Sequence, residues 1–342
     1  MGERQDMEQG LAPQSVALAL DRLGSVIAPE DGRISQLVRL TGGASLETWA
    51  FDLATDEGAR PLILRRRDAV EDTIFSTSLP LATEAALLER AAAAGVPVAQ
   101  LVRLCEEADG LGEAYIVTRI AGETLGRRIV TSDAFAPARL LLGAQAGQAL
   151  AAIHRIDRAG LPPLETLDAR GSLARYEAIH RRIGAQRPVL EAAFRFLDRE
   201  APSPVAPQLV HGDFRNGNLI VDPDEGLVAV LDWELAHLGD PAEDLGWLCV
   251  NSWRFGETAL PVGGFATLET LLDAYRAAGG DPPPVSRIRY WQMLGSLKWA
   301  IVCLMMYESF ASGEERTMER AAIGRRLSEC EVDLLALMQE VA

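Results

Sequence analysis

The chain has 342 residues, 48% of them hydrophobic, which is enough apolar material for one large core or two lobes. The formal net charge of -16 argues against nucleic acids and membranes as partners, because both select basic surfaces. Four scattered cysteines without a C-x-x-C pair, and an N-terminus without a signal pattern, predict a cytoplasmic protein with reduced thiols.

The sequence before Gly122 contains short alternating runs that are typical of strands, and two segments with helical spacing. The predicted helices are Ser15–Ile27 and Leu81–Ala94. The predicted strands are Gln36–Leu40, Glu47–Leu53, Pro61–Arg67, Gln100–Cys105 and Ala114–Ile120. A Gly-Gly turn, Thr41–Ser45, separates the first two strands.

After Gly122 the pattern becomes mostly helical. A long helix is predicted over Pro137–Ile156, with more helices over Arg175–Asp198 and again from Ala242 onward. The proline-rich segment Ala201–Pro207 predicts an extended connector. It is followed by the strand-like runs LVHGD, NLIVD and LVAVLDW, with a PDEG turn between the last two.

The two most apolar stretches, Leu140–Ile153 and Met293–Met306, are shorter than a membrane span and are interrupted by polar residues, so they predict buried helices. The whole pattern predicts an α+β chain with two lobes. A small antiparallel-sheet lobe with one main helix would occupy residues 1–121, and a larger, mostly helical lobe would occupy residues 122–342.

The segment HGDFRNGN, His211–Asn218, carries the strongest chemical pattern in the sequence. Asp213 and Asn218 stand five positions apart, and Asp232 follows fourteen positions after Asn218, at the end of the run LVAVLD. This is the H-x-D-x-x-x-x-N pattern followed by a second metal-binding aspartate. It predicts a phosphoryl-transfer centre, because that reaction needs positioned oxygen groups and charge neutralisation more than covalent help.

Each residue of the pattern suits one role in this chemistry. Asp213 would accept the proton of a substrate hydroxyl and align it with the γ-phosphate of ATP. Asn218 and Asp232 would supply oxygen ligands to Mg²⁺, which prefers hard oxygen atoms. His211 and Arg215 complete the predicted catalytic set, and Arg215 would either touch the γ-phosphate or pair with a nearby acid.

The segments HGDFRNGNLIV and VAVLDWELAHLGDPAEDLGWL resemble the aminoglycoside phosphotransferase and choline kinase-like superfamily, whose fold is similar to that of protein kinases. The resemblance runs from Ser35 to the C-terminal helices. It is strongest to a bacterial branch that also resembles the kinase-like domains fused to some acyl-CoA dehydrogenases. It implies ATP and Mg²⁺ as cofactors and a small-molecule hydroxyl as the acceptor.

The resemblance also implies contacts to the nucleotide. Gly42, Gly43 and Ser45 would bind phosphate oxygens through backbone N–H groups and the Ser45 hydroxyl. Thr118 and Ile120 would hydrogen-bond adenine through their backbone.

By the same resemblance, the strand PLILRRR should carry a phosphate-binding cation, usually lysine, and here Arg65 aligns with it. Strand alternation puts Arg65 and Arg67 on one face and Arg66 on the other. Glu84 of the next helix would pair with Arg65 and hold it toward the phosphates. Arginine in place of lysine departs from much of the family, and it is the one feature that favours a catalytically silent module.

Other polar residues receive supporting roles. His154, on the long helix, is predicted to be buried and hydrogen-bonded rather than catalytic. Asp240 and Asp244 are predicted to support the catalytic loop through hydrogen bonds to its backbone. His237 is given no role.

The acceptor pocket is expected among the helices after Asp244 and in the segment Leu161–Glu200. Four aromatic or basic residues are candidates to line it: Trp253, Arg254, Trp299 and Tyr307. The related branch implies a hydroxylated metabolite, such as a hydroxyacyl compound, and an aminoglycoside-type antibiotic kinase is the alternative enzyme. A silent nucleotide-binding module and an interaction scaffold are the alternatives that are not enzymes. The sequence leaves the oligomeric state open.

Overall fold

The computed structural model describes residues 13–28, 32–40, 46–56, 58–67 and 78–341. This part of the chain forms two compact units. The first consists of the described residues up to Ala93 together with Pro97–Ala121 and Trp233–Leu235. The second consists of Ala94–Val96, Gly122–Asp232 and the described residues from Ala236.

The first unit contains an antiparallel sheet and two α-helices among its described residues. Its helices are α1 (Pro13–Ile27) and α2 (Leu81–Ala93). Its strands are β1 (Ile34–Leu40), β2 (Glu47–Thr55), β3 (Gly58–Arg67), β4 (Leu101–Leu104) and β5 (Glu113–Thr118). Along the chain these elements confirm the predicted order of three strands, a helix and two strands. In the sheet the strands lie in the order β1-β2-β3-β5-β4.

Period-two alternation gives this sheet its buried face. Trp49 of β2 pairs with Leu64 of β3, and Phe51 pairs with Leu62. All four side chains are buried and belong to one core cluster with Leu20 of α1. Burying an apolar side chain of this size stabilises the fold by about 1.5–3 kcal/mol relative to exposing it.

The second unit is mostly helical. Its helices are α3 (Gly126–Thr131), α4 (Ala136–His154), α5 (Ala169–Ile183), α6 (Pro188–Arg199), α7 (Ala242–Leu248), α8 (Leu268–Ala277), α9 (Val285–Ser312), α10 (Met318–Gly324) and α11 (Leu327–Val341). Its strands are β6 (Gln208–Val210), β7 (Leu219–Asp222), β8 (Gly226–Val230) and β9 (His237–Gly239).

Two short antiparallel pairs in this unit hold the loops that carry the motif. β7 and β8 form the predicted hairpin, whereas β6 pairs with β9, a strand that the sequence pattern did not predict. β8 ends at Val230, before the predicted end at Asp232. The reason is that Asp232 adopts a left-handed backbone with φ of 65°, which cannot continue a strand.

The two apolar stretches lie in α4 and α9. Leu142, Leu150 and Leu297 on these helices are buried, although Leu140 is 85% exposed. No helix in the described part of the chain combines the length and apolar character needed to cross a membrane. The cysteines are free thiols: Cys105, Cys249, Cys303 and Cys330.

Candidate active site

The loop between β6 and β7 carries the HGDFRNGN motif, and α7 holds the start of this loop. Asp244, in the first turn of α7, is fully buried. Its two carboxylate oxygens accept the amide N–H of His211 at 2.7 Å and that of Gly212 at 2.9 Å. These bonds confirm the predicted role of Asp244 as a support of the loop backbone.

A buried histidine connects Asp244 to two further helices. His154 Nε2, on α4, lies 3.1 Å from Asp244 Oδ2, and His154 Nδ1 lies 2.8 Å from the hydroxyl of Tyr275 on α8. His154 is therefore buried and hydrogen-bonded, as predicted. Burial acts to raise the pKa of Asp244, but the hydrogen bonds from His154 and from the His211 amide outweigh it, and the pKa lies below its ordinary value.

Both ring nitrogens of His211 contact backbone atoms of the protein, and its catalytic role stays a prediction. The ring is fully buried. Its Nε2 lies 3.0 Å from the carbonyl oxygen of Leu231, and its Nδ1 accepts the Asp213 amide at 3.2 Å. This arrangement requires a neutral ring that donates through Nε2. Burial lowers the pKa of His211, which favours the same neutral form.

Asp213 is oriented by three donors. Its Oδ1 accepts Trp247 Nε1 at 2.8 Å and Arg215 Nε at 3.2 Å. Its Oδ2 accepts Asn218 Nδ2 at 2.6 Å. The side chain is 14% exposed, so the carboxylate is fixed in direction and still reaches solvent.

The contacts of Asn218 also set the direction of its amide oxygen. Because Asn218 Nδ2 faces both the carboxylate and, at 3.0 Å, the backbone carbonyl of Asp213, its Oδ1 points the other way. The carbonyl of Asn218 accepts the amide of Leu231 at 2.8 Å, which brings the residue before Asp232 against Asn218. Asp232 is half-buried in its left-handed conformation.

Of the two contacts considered for Arg215, the structure contains the one with an acid, Asp213. Arg215 Nη1 also donates to the Asn216 carbonyl at 2.9 Å, and the guanidinium lies 4.4 Å from the centre of the Trp253 ring. Gly217 has φ of 105°, and a Cβ there would come within 2.4 Å of Arg215 Nη1. The end of the Arg215 side chain could move aside, so it is the positive φ that favours glycine at that point of the motif.

In the first unit, Arg65 and Glu84 lie together. Arg65 Nη1 is 3.6 Å from Glu84 Oε2, and the hydroxyl of Tyr115 bridges them at 3.2 Å from each. Glu84 is fully buried. Tyr115 is buried too, and burial raises the pKa of its hydroxyl, so the hydroxyl stays neutral and can both accept from Arg65 and donate to Glu84.

The neighbouring arginines follow strand alternation. Arg66 is buried on the other face, 2.6 Å from Glu47 Oε2 and 3.1 Å from the Leu111 carbonyl. Arg67 pairs with Glu113 at 3.1 Å. Arg65 is therefore the arginine of this run that pairs with Glu84.

The predicted adenine contacts fall at the end of β5. The N–H of Thr118 donates to the Gln100 carbonyl at 3.0 Å, so an adenine contact at Thr118 would have to use its carbonyl oxygen. Ile120 follows the strand and is half-buried. The predicted phosphate-binding turn lies outside the described residues: Gly42, Gly43 and Ser45.

The prediction for Asp240 is wrong. Asp240 accepts from Arg287 Nε at 2.6 Å and Trp291 Nε1 at 2.7 Å, both on α9, and from the Ala242 amide at 3.0 Å. It thus supports α7 and α9 rather than the catalytic loop. His237, which received no role, is buried in β9 with its Nε2 3.3 Å from Glu243 Oε2.

The candidate acceptor residues divide into buried and exposed positions. Trp253 is buried and stacks edge-on between Trp247 and Trp299, with ring centres 5.1 Å and 4.8 Å away. Arg254 donates to the Cys249 carbonyl at 2.7 Å. Tyr307 is 51% exposed. Of these residues, Trp253 is the one that contacts a side chain of the catalytic loop, Arg215.

Several functional positions could not be read from spacing alone. Trp247 binds Asp213 across 34 positions of sequence, and Tyr115 contacts Glu84 across 31 positions and Arg65 across 50. Asn216, inside the motif, donates to the carbonyls of Trp253 at 3.0 Å and Gly263 at 2.7 Å. Its place inside the motif is the one signal in the sequence that marks it.

An antiparallel-sheet unit, a mostly helical unit and a D-x-x-x-x-N loop followed by an aspartate define a kinase-like phosphotransferase. The chain belongs to the APH phosphotransferase enzyme family, whose family model matches residues 36–280. Mouse acyl-CoA dehydrogenase family member 10 is 26% identical over 306 residues, which is 82% of this chain and 27% of the mouse protein.

Solved structures show the same fold. A proposed aminoglycoside phosphotransferase from Ralstonia eutropha has a TM-score of 0.71 at 19% identity, covering 94% of this chain and 98% of its own. A thermostable mutant of the aminoglycoside phosphotransferase APH(4)-Ia, in ternary complex with AMP-PNP and hygromycin B, has a TM-score of 0.60 at 17% identity, covering 95% and 98%. The predicted superfamily and two-lobed α+β kinase-like fold are confirmed, and the protein is a kinase-type small-molecule phosphotransferase.

Proposed function

We propose that the protein transfers the γ-phosphate of ATP to a hydroxyl group of a small molecule, with Mg²⁺ as cofactor. One observation carries this proposal: Asp213 is fixed by three donors, one of which is the amide of Asn218. A carboxylate fixed in this way can orient an acceptor hydroxyl, and positioning of this kind supplies much of the rate in phosphoryl transfer.

The donor set fits magnesium. The Asn218 amide oxygen and the Asp232 carboxylate are hard oxygen ligands, and Mg²⁺ usually binds one or two such groups together with phosphate oxygens and water. Within the described ranges, no group of three or more His, Cys, Asp or Glu side chains could hold a metal. Phosphate oxygens would therefore have to complete the set. When bound, the ion supplies positive charge that neutralises the phosphate oxygens.

The transfer step can be written with its bonds balanced. A bond forms between the acceptor oxygen and the γ-phosphorus, and the bond from that phosphorus to the bridging oxygen of ADP breaks. The proton of the acceptor hydroxyl passes to Asp213, and ADP leaves. Arg65, held by Glu84 and Tyr115, is proposed to bind the nucleotide phosphates.

Similarity to two known proteins bears on the choice of phosphate donor and acceptor. AMP-PNP, an ATP analogue, is bound by the structurally similar APH(4)-Ia, which supports ATP as the donor. A hydroxyacyl metabolite is the proposed acceptor, and the only support from the sequence similarity is that the mouse relative is named for acyl-CoA chemistry. Because this chain spans about a quarter of that protein, the activity of the whole mouse protein does not transfer to it.

Calorimetric titration with ATP, with and without Mg²⁺, tests the nucleotide and metal assignments. Wild type should bind ATP more tightly with Mg²⁺. Asp232→Asn should lose that gain, because asparagine tolerates the left-handed backbone and removes only the charge. Asn218→Ala should lose less of the gain, because an amide offers only a dipole. Failure to bind millimolar ATP, or an unchanged magnesium effect in Asp232→Asn, would contradict the proposal.

A further inference from the structure

A lysine lies beside Asp213 at a place that the proposed transfer step does not use. Lys298 is on α9, and its Nζ donates a hydrogen bond of 2.7 Å to the carbonyl of Gly212, the residue before Asp213. The same Nζ lies 4.3 Å from the centre of the Trp247 ring. Because Trp247 Nε1 binds Asp213 Oδ1, Lys298 contacts both the backbone and the side chain that position Asp213.

Lys298 and Trp247 line a small cavity together with Tyr176 and Glu243. The cavity has a volume of about 10 Å³, which is roughly the minimum space for one water molecule. An aromatic ring face next to carboxylates binds ammonium groups, whether the ammonium belongs to a lysine side chain or to a ligand. Here the ammonium of Lys298 already covers that face.

The charge on Lys298 is maintained by its surroundings. Burial acts to lower the pKa of Lys298, but the nearby hydroxyl of Tyr176 and the carboxylates of Asp213 and Glu243 outweigh it, and the pKa lies above its ordinary value. Within the described part of the chain, Gly212 is the residue that accepts a hydrogen bond from Nζ. An ammonium has three N–H donors, so Lys298 can also donate to an oxygen atom of an acceptor.

We propose that Lys298 determines acceptor specificity, by excluding alcohols that carry an ammonium group and admitting neutral or anionic alcohols. This inference rests on the proposed function. A cationic alcohol whose hydroxyl meets Asp213 would find the Trp247 face occupied and would be repelled by the like charge of Lys298. At the effective dielectric constant of a partly buried site, that repulsion corresponds to roughly 10²-fold in affinity. Aminoglycosides and choline-like amines would be the excluded class.

Equilibrium binding of two alcohols of the same shape tests the proposal, measured with and without Mg-ADP. One is choline, and the other is its neutral isostere, in which a tert-butyl group replaces the trimethylammonium group. Lys298→Met removes the charge and keeps most of the length, and Lys298→Arg keeps the charge as the matched control. If Lys298→Met does not fold, Lys298→Gln takes its place.

The expected result is that Lys298→Met binds choline roughly 10²-fold more tightly than wild type does. Binding of the neutral isostere should change only a few-fold, and Lys298→Arg should behave like wild type. Equal choline affinity in wild type and Lys298→Met would overturn the proposal, and so would a folded Lys298→Met that does not bind choline.

Titration of ATP on the same samples separates this inference from the proposed function. Normal ATP binding without the choline shift would overturn the specificity role alone. The choline shift in a protein that does not bind ATP would instead overturn the proposed kinase activity.

Discussion

At the scale of single residues, the site depends on side chains that hold other side chains in place. Asp213 is held by Trp247, Arg215 and Asn218, and Arg65 is held by Glu84 and Tyr115. Each held group thereby loses rotamer freedom before any ligand arrives. Fixing the reacting groups in this way is the main means by which a protein assists phosphoryl transfer.

Tyr115→Phe should weaken ATP binding without unfolding the protein. The change removes the hydroxyl that bridges Arg65 and Glu84, leaving a direct separation of 3.6 Å. Hydrogen bonds to charged groups contribute about 1.5–3 kcal/mol, so the affinity should fall by about tenfold or more. Calorimetric titration with Mg-ATP measures the effect.

The matched control is Arg67→Lys, on the same face of β3 but paired with Glu113. It should leave ATP affinity within a few-fold of wild type. If Arg67→Lys weakened binding as much as Tyr115→Phe, Arg65 would not be the arginine that binds the phosphates.

The role of a residue was predictable from the sequence where its partners lie nearby in the chain. It was not predictable where the role depends on contacts between distant segments. The spacing of Asp213 and Asn218 was sufficient to place them in one loop. Nothing in the spacing could show that Trp247 or Lys298 approaches Asp213, because those contacts depend on how α7 and α9 pack. The motif includes His211, but the burial of its ring and its two backbone partners become visible only in the fold.

At the scale of elements, α7 acts as the anchor of the catalytic loop. Asp244 receives two backbone N–H groups of the loop and contacts His154 of α4. Asparagine at this position would have one acceptor oxygen instead of two, so at least one buried N–H would lose its partner. The position of Asp213 therefore depends on the charge and shape of a residue outside the motif.

Asp244→Asn should lower both stability and turnover. An unsatisfied buried donor costs about 1–3 kcal/mol, which urea unfolding would detect. Single-turnover transfer should fall by more than about tenfold, because the loop that carries Asp213 shifts. ATP affinity should change little.

Asp240→Asn provides the matched control, since Asp240 binds Arg287 and Trp291 of α9 and not the loop. It should lose stability and keep its transfer rate. Equal losses of transfer in the two variants would show that Asp244 contributes only to general stability.

Most elements were predictable from periodicity, with errors at ends and in short pieces. β2, β3, α2 and α4 match the predicted ranges closely because long apolar patterns determine them. β9 was missed because three residues, His237–Gly239, carry no periodic pattern, and only pairing with β6 makes them a strand. The end of β8 was misplaced because a positive φ at Asp232 leaves no mark in the sequence pattern.

For the whole molecule, stability should fall as the solution becomes acidic. Burial lowers the pKa of His211 in the folded state below its value in the unfolded chain. The unfolded chain therefore takes up the proton first, and the stabilisation is lost as the pH falls below about 6.5. The pKa of Asp244 is also lowered, so its contribution is lost only below about pH 4.

The free energy of unfolding in urea, measured at about pH 7 and at about pH 5, checks this expectation. Wild type should lose more stability between the two values than His211→Asn does. An equal loss in both proteins would mean that His211 does not stay neutral in the fold.

The central claim is that Asp213 acts on the acceptor during transfer of the γ-phosphate of ATP. The most direct test follows γ-labelled ATP in single-turnover reactions with a panel of hydroxylated acceptors, for wild type and Asp213→Asn, with ATP affinity measured on the same samples. Asparagine keeps the shape but cannot take the proton, so transfer should slow by about 10²–10⁴-fold while ATP affinity stays unchanged. Transfer by Asp213→Asn at the wild-type rate would contradict the claim.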